Sequence, residues 1–559
     1  ANTTPWVDGL CIGQVLEQTA ARYPDNDALV FPYLGVRVNY RDFLEQVDQT
    51  ARALWALGLR PGQHIAVWAT NVPQWALLQF ASARIGVVLV TINPAYRPFE
   101  LQYVLKQSDA RALFLIDAYK KSDYFGMLTE VCPAIGEHPP GEWQSSEFPL
   151  LGAVVAMRGI APRGGLNWDE FLRGGQSISP GQIDAAAETL NPHDAINIQY
   201  TSGTTGFPKA ATLSHRNLLL NVYYSGQCLR YTAADRICIP VPFYHCFGCV
   251  LGTLCASVFG AAMIVPAESF DPAATLAALE SERATSLYGV PTMFIAQLHD
   301  ETLPRRDLSA LRTGIMAGSP CPIETMRAVV ERMNCREITI GYGQTEASPL
   351  ITQTRFDDPL ELRVETVGRV LPGVEVKIVD PATGVTLDDN EQGELCSRGH
   401  NTMIGYYNQP DATAAAIDPE SWLHTGDLAV RLPSGYFKIT GRIKDMVIRG
   451  GENIYPREIE EFLFTHPAIE QAAVVGVPDV KYGEELCAWI KLKAGCTAGV
   501  ELCEQRVKDY CRGKLAHFKV PKYVKFVTAF PQTVTGKIQK FKIREQMREE
   551  LGLSEQNTA

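Results

Sequence analysis

At 559 residues, 46% apolar and 20% charged, the chain has a globular composition that excludes a disordered or low-complexity protein, and its length allows about three to four domains. The formal net charge of −11 and the lack of interleaved basic and aromatic residues argue against a nucleic-acid partner. The 14 cysteines are scattered: Cys246 and Cys249 form one close pair beside His245, but no second pair follows to complete a zinc site, so buried reduced thiols are expected.

In chain order, QVLEQTAARY and RDFLEQVDQTARALWALGL have helical spacing, with PDND between them as a turn. The apolar runs HIAVWA, GVVLVTI, ALFLI, AAMIVP, SLYGV and EITIGYG read as strands alternating with helices, which predicts largely parallel α/β layers. Residues 135–179 are rich in Pro, Gly and Ser and read as irregular surface. The uncharged stretch 246–267 is long enough to cross a bilayer, which takes about 20 residues, but its glycines and Pro266 break it into a buried helix, a turn and a core strand. No transmembrane segment is therefore expected.

Beyond Gly435 the texture changes. YFKI, DMVI, AAVVGV, CAWIKLK and YVKFV read as short strands among the helices REIEEFLFTHP, VKDYCRGKL and IREQMREEL. A large α/β unit over 1–441 and a smaller α+β unit over 442–559 follow, with the boundary among residues 441–445. Residues 442–559 carry 19 basic and 16 acidic side chains, and nine basic residues with no acid fall between 511 and 544. Such a run is either a solvated face or a contact for a polyanionic small molecule.

The most informative segment is YTSGTTGFPK at 200–209. Gly203 and Gly206 permit backbone conformations that a Cβ forbids, Thr201, Ser202, Thr204 and Thr205 bring hydroxyls, and Lys209 brings a cation, so the loop suits a phosphate. Its glycine spacing and Pro208 depart from GxxxxGK[ST], which excludes an ordinary P-loop kinase or ATPase.

Together with GYGQTEASP (341–349), HTGDLA (424–429), YFKITGRIKDMVIRGGENIYPREIE (436–460) and PQTVTGKIQK (531–540), this loop makes nearly the whole chain resemble the adenylate-forming enzymes. These include acyl-CoA synthetases, luciferases and peptide-synthetase adenylation domains. Within that family the pattern is similar to the medium-chain acyl-CoA synthetase family member 2 group and its bacterial relatives, through AINIQYTSGTTG, FYHCFG, VIRGGENIYPREIE and HFKVPKYVKFV. One departure is Ala210, where the family commonly has Gly after the lysine.

The resemblance implies a large multi-layer α/β domain with a smaller mobile α+β domain hinged near Lys444. It implies a two-step reaction in which a carboxylate attacks the α-phosphate of ATP and CoA then captures the acyl adenylate. Lys537 would bridge carboxylate and phosphate; Thr345 would approach the α-phosphate and Glu346 would hold Mg²⁺. Gly318, Ser319 and Pro320 would line the adenine, Tyr342 would stack on it, and Gly343 and Gln344 belong to the same nucleotide loop. Asp427 would accept the ribose hydroxyls, with Arg442 as a second contact and Ile439 packed nearby. His245 and Phe247, in PFYHCFG, would gate the acyl tunnel. Gly450, Gly451 and Glu452 would line the pantetheine passage in the thioester-forming state. The basic stretch then fits the phosphates of free CoA. A medium-chain or longer aliphatic acid is the expected substrate, with an aryl, branched or sulfur-containing short acid as the alternative and a silent acyl-nucleotide sensor as a third reading. A homodimer is the family-based expectation, in the cytoplasm of a bacterium or in the mitochondrial matrix.

Overall fold

The computed structural model describes residues 4–201, 208–319, 321–449, 452–479, 481–512, 514–533 and 536–553, with the backbone alone at 452 and 453. Two large sheets fill the first part of the chain. The eight-stranded sheet runs Gly405–Tyr406, Lys209–Ser214, Ala195–Thr201, Val88–Ile92, His64–Trp68, Ala110–Leu115, Ala153–Ala156 and Leu166–Asn167. The nine-stranded sheet has Glu337–Gly343, Thr313–Ala317, Ser286–Gly289, Arg236–Cys238, Ala262–Ile264 and Asp27–Phe31 as its parallel centre, flanked by antiparallel edges. Strands such as His64–Trp68 are apolar without alternation because helices cover both faces, and every residue of that strand is buried.

The helix Tyr40–Ala56 shows how these layers are specified. The Asn39 side chain accepts from the Asp42 N–H at its start, and Phe43, Val47, Ala51 and Leu54 recur at helical spacing as its buried face. One continuous apolar core joins residues of both sheets.

A four-stranded antiparallel sheet follows: Val374–Val379, Gln392–Gly399, Leu423–Arg431 and Phe437–Arg442. After the 3₁₀ turn Ile443–Asp445 a separate sheet begins, built from Val447–Arg449, Glu452–Ile454, Gly483–Leu492, Ile469–Asp479 and Tyr523–Phe526. Alternation along Ile469–Asp479 sends Ala472 and Val474 to one core and Ala473, Val475 and Val477 to another, each closed by its own helices.

Several local expectations need correction. YFKI pairs with Leu423–Arg431 and so belongs to the four-stranded sheet, not to the strands that follow. The stretch 135–179 contains the helix Trp168–Gly174 and a strand, Ala153–Ala156, that lies parallel to Ala110–Leu115; four apolar residues among Pro, Gly and Ser are too short a periodic signal to stand out. VKDYCRGKL is helical only to Cys511. The uncharged stretch at 246–267 forms the π-helix Phe247–Leu254, the α-helix Cys255–Phe259, a turn at Gly260 and the strand Ala262–Ile264. Among the described residues no helix is long and apolar enough to cross a membrane.

Candidate functional site

The site lies where the strand ends of the large sheets meet the four-stranded sheet and a turn of the C-terminal part. Strand Ala195–Thr201 delivers Thr201 and the antiparallel Lys209–Ser214 returns with Lys209, the pair closing on the register Thr201 to Lys209 and Tyr200 to Ala210. Ala210 is buried in this ladder. Ser202, Gly203, Thr204, Thr205 and Gly206 lie outside the described residues, as do Pro320, Gly450, Gly451 and the Glu452 side chain.

Strand Glu337–Gly343 ends on Tyr342 and Gly343, and Gln344 caps the 3₁₀ turn Thr345–Ala347. A Cβ on Gly343 would sit 2.0 Å from the Pro349 carbonyl oxygen, so only glycine lets this turn fold against 349–351. Thr345 is buried, with the Cys246 sulfur 3.8 Å from its hydroxyl. Glu346 Oε1 accepts from the Tyr406 hydroxyl at 2.8 Å and from Thr201 Oγ1 at 3.2 Å. Tyr406 also lies 5.1 Å below the Lys209 ammonium, so one ring supports both a carboxylate and a cation.

At the other end, Asp427 is buried between two partners. Arg442 Nε lies 3.0 Å from Oδ1, and the Tyr342 hydroxyl donates to Oδ2 at 2.9 Å. Ile439, on the same strand as Arg442, packs against the main core. Gly318 and Ser319 follow strand Thr313–Ala317, with Gly318 at φ +87°.

Lys537 comes from the C-terminal part. Its N–H donates to Thr533 Oγ1 at 3.1 Å and its carbonyl accepts from Thr533 N at 2.8 Å. A Cβ on the adjacent Gly536 would meet Thr292 Oγ1 at 2.6 Å, so this turn rests against the large part. Burial, and then the Arg442 charge, push the Lys537 ammonium down to about 8, while Asp427 opposes the shift. Lys537 in turn adds to the burial that drives His245 down to about 4. The His245 ring is therefore neutral at pH 7; its Nδ1 accepts from the Phe247 N–H at 3.2 Å, which leaves the proton on Nε2. Phe247 opens the π-helix and stacks on Tyr288 with centroids 5.6 Å apart. Lys444 is exposed in the 3₁₀ turn between the last two sheets.

The structure thus brings together Thr201, Lys209, Thr345, Glu346, Tyr342, Asp427, Arg442, His245 and Lys537, from elements far apart in sequence. Tyr406 contacts Glu346 and Lys209, and Glu394 and His424 hold the turn before Asp427; sequence reasoning did not single them out. Tyr406 is one aromatic residue in MIGYYNQP, where only a Gly-aromatic pairing hints at a role. Glu394, Cys396 and His424 each offer a donor atom within 4.8 Å of the others. The imidazole proton on Nδ1 is given to Glu394 at 2.8 Å, and the thiol, pushed up to about 12 by burial and by Glu394, stays protonated.

Two family models match the chain, the AMP-binding enzyme over residues 16–407 and the AMP-binding enzyme C-terminal domain over 458–537. The chain belongs to the AMP-binding enzyme family. It is 50% identical over 543 residues to the Bacillus subtilis (strain 168) protein YngI, named for acyl-CoA synthetase activity, covering 97% of this chain and 98% of that one. It is 41% identical over 547 residues to the Homo sapiens medium-chain acyl-CoA ligase ACSF2, mitochondrial, covering 97% and 88%. Among solved structures it is similar to ATP-bound MatB from Rhodopseudomonas palustris, with a TM-score of 0.82 at 27% identity over 97% of this chain and 100% of that one. The apo form of the same MatB gives a TM-score of 0.73. Its adenylate-forming relatives and their shared α/β architecture make this chain an ATP-dependent, AMP-forming ligase with a large N-terminal and a smaller C-terminal domain.

Proposed function

We propose that this protein joins medium-chain carboxylic acids to CoA in two steps, and that the residues gathered around Asp427 and Lys537 carry the first. The observation that carries this reading is the position of Lys537. A lysine on a turn of the C-terminal part is placed beside Arg442, Asp427 and His245 of the large part, where a carboxylate and an α-phosphate would meet. Its charge stabilises the negative charge that gathers as the new acyl–phosphate bond forms and pyrophosphate leaves. Asp427 accepts the ribose hydroxyls, displacing part of its contact with Arg442 and Tyr342, and so fixes the nucleotide for in-line attack.

Glu346 and Thr201, whose side-chain oxygens lie 3.2 Å apart, offer the oxygen donors that suit a hard cation, so Glu346 would hold Mg²⁺, which would supply charge neutralisation to the triphosphate. Neutral His245 adds no further positive charge to that of Arg442 and Lys444 around Lys537, and with Phe247 lines the entry for the acyl chain.

For the second step the part of the chain that follows Lys444 turns about that residue and removes Lys537 from the site, while Arg442 stays paired with Asp427. The closer likeness to ATP-bound than to apo MatB supports reading the present arrangement as the adenylating one. A hollow of about 710 Å³ on that moving part is lined by Arg449, Lys508, Arg512, His517 and Lys522; four of these pair with Glu485, Glu504, Asp509 and Asp479, and the group suits the phosphates of CoA if phosphate displaces those partners. The test is carboxylate-dependent exchange of labelled pyrophosphate into ATP across saturated acids, followed by CoA-dependent thioester formation. An optimum at roughly six to twelve carbons is expected, since each buried CH₂ contributes about 0.8 kcal/mol until the tunnel ends. A clear optimum on acetate or benzoate would contradict the substrate assignment.

A further inference from the structure

The turn that presents Asp427 is not a regular strand. In the pairing of Gln392–Gly399 with Leu423–Arg431, Glu394 faces Leu428 and Cys396 faces His424, so Thr425, Gly426 and Asp427 all bulge opposite Leu395. Such a bulge leaves backbone groups without ladder partners, and three of them, the Leu395 carbonyl and the Gly426 and Asp427 N–H groups, are answered by side chains. Thr425 Oγ1 donates to the Leu395 carbonyl at 2.6 Å and accepts from the Asp427 N–H at 3.1 Å. Glu394 Oε1 accepts from the Gly426 N–H at 2.9 Å, and its other oxygen accepts from His424 Nδ1 at 2.8 Å. Gly426 holds φ +69°, a left-handed conformation that suits glycine, and a Cβ there would find open space, so backbone geometry and not crowding selects glycine.

Glu394 is 8% exposed and its carboxylate grips both ends of the bulge, His424 before it and Gly426 inside it. His424 is steadied from the other side, where Nε2 lies 3.6 Å from Asp418 Oδ2. The Asp427 carboxylate bonds to Tyr342 and Arg442 and the Glu394 carboxylate to His424 and Gly426, so the turn is what links the two.

We propose that Glu394 is a positioning residue for nucleotide recognition: by clamping His424 and Gly426 it holds the bulged turn at the height from which Asp427 reaches the ribose. The inference rests on the reading of Asp427 as the ribose acceptor and adds the residue that sets its position. Loss of the clamp lets the turn relax toward a regular ladder, which would carry the Asp427 carboxylate away from the sugar while leaving Lys537 and the acyl pocket in place.

The test is a cycle between protein and ligand. KM is measured for ATP, for 2′,3′-dideoxy-ATP and for a medium-chain acid, on the parent, Glu394→Ala and Glu394→Gln. In the parent, removing both hydroxyls should raise KM by about ten- to a hundredfold, the range for hydrogen bonds to a charged group. In Glu394→Ala the KM for ATP should rise by a similar factor, the KM for the acid should be unchanged, and the ratio between the two nucleotides should fall toward one. Glu394→Gln keeps an oxygen for Gly426 and should restore most of the discrimination. A Glu394→Ala protein that retains the full parental ratio, or a Glu394→Gln protein that loses as much as Glu394→Ala while melting like the parent, overturns the clamp. A parent that does not distinguish the two nucleotides removes the ribose reading of Asp427, and the clamp with it.

Discussion

The two ends of the site are built in opposite ways. Asp427 is fixed by Arg442 and Tyr342 and by a bulge stitched to the neighbouring strand, all within one body. Lys537 is held by a turn on the other side of the hinge segment and meets the large part through Gly536 and Thr292. The first end is set before the nucleotide arrives. In the proposed cycle the second is delivered, and without substrate its charge is disfavoured, with the ammonium pushed down to about 8. On that proposal anionic substrate would offset the penalty, so that occupancy by ATP and carboxylate would favour the adenylating arrangement and loss of pyrophosphate would ease conversion to the thioester-forming one.

The contrast predicts a graded set of defects. The largest should come from Lys537→Ala, which removes the charge present only at the reacting atoms: pyrophosphate exchange should fall roughly 10²–10³-fold with little change in melting temperature. Next is Glu346→Gln, which keeps shape and removes charge. Exchange should drop steeply and the Mg²⁺ concentration for half-maximal activity should rise; superimposable Mg²⁺ titrations would rule out the metal role. Tyr406→Phe removes the hydroxyl from Glu346 Oε1 but leaves Thr201 on that oxygen and the ring under Lys209, so a loss of about tenfold is expected, the lower end of the range for one hydrogen bond to a charged group.

The smallest effect is one of pH. Lys537 is charged below about 8 and neutral above it in the free enzyme. Bound phosphates favour the charged form, so its pKa rises on binding, and ATP should take up a proton with it at pH 8.5. Calorimetry in two buffers of different ionisation enthalpy should detect that uptake in the parent and not in Lys537→Ala.

Much of this was legible because adenylate chemistry needs particular groups in a fixed order, and Thr345, Glu346, Asp427, Arg442 and Lys537 stand in short, ordered motifs. The apolar runs AAVVGV, within Ile469–Asp479, and His64–Trp68 announced their strands in the same direct way. Other features depend on partners distant in sequence. The basic run after Cys511 reads as an excess of charge, yet Lys519 pairs with Glu458, Lys525 with Glu550 and Lys540 with Glu460, away from the hollow. Only the subset around the hollow, with Arg449 from a different strand, converges. The support of Glu346 by Tyr406 and the clamp by Glu394 are likewise contacts between elements separated in sequence, and the bulge at Thr425–Gly426 leaves no periodic trace that local pattern could reveal.

The central claim is that one site serves two reactions because Lys537 is brought in and taken away by rotation about Lys444. It is tested most directly by measuring both half-reactions on the same folded preparations of Lys537→Ala and Lys444→Pro. Proline fixes φ near about −65° and so restricts a hinge while leaving the adenylating residues in place. Lys537→Ala should lose pyrophosphate exchange yet still convert supplied acyl-AMP and CoA to thioester, and Lys444→Pro should keep exchange and lose thioester formation. Equal loss of both half-reactions in both variants, with parental melting, would contradict the moving-domain account and leave a single static site.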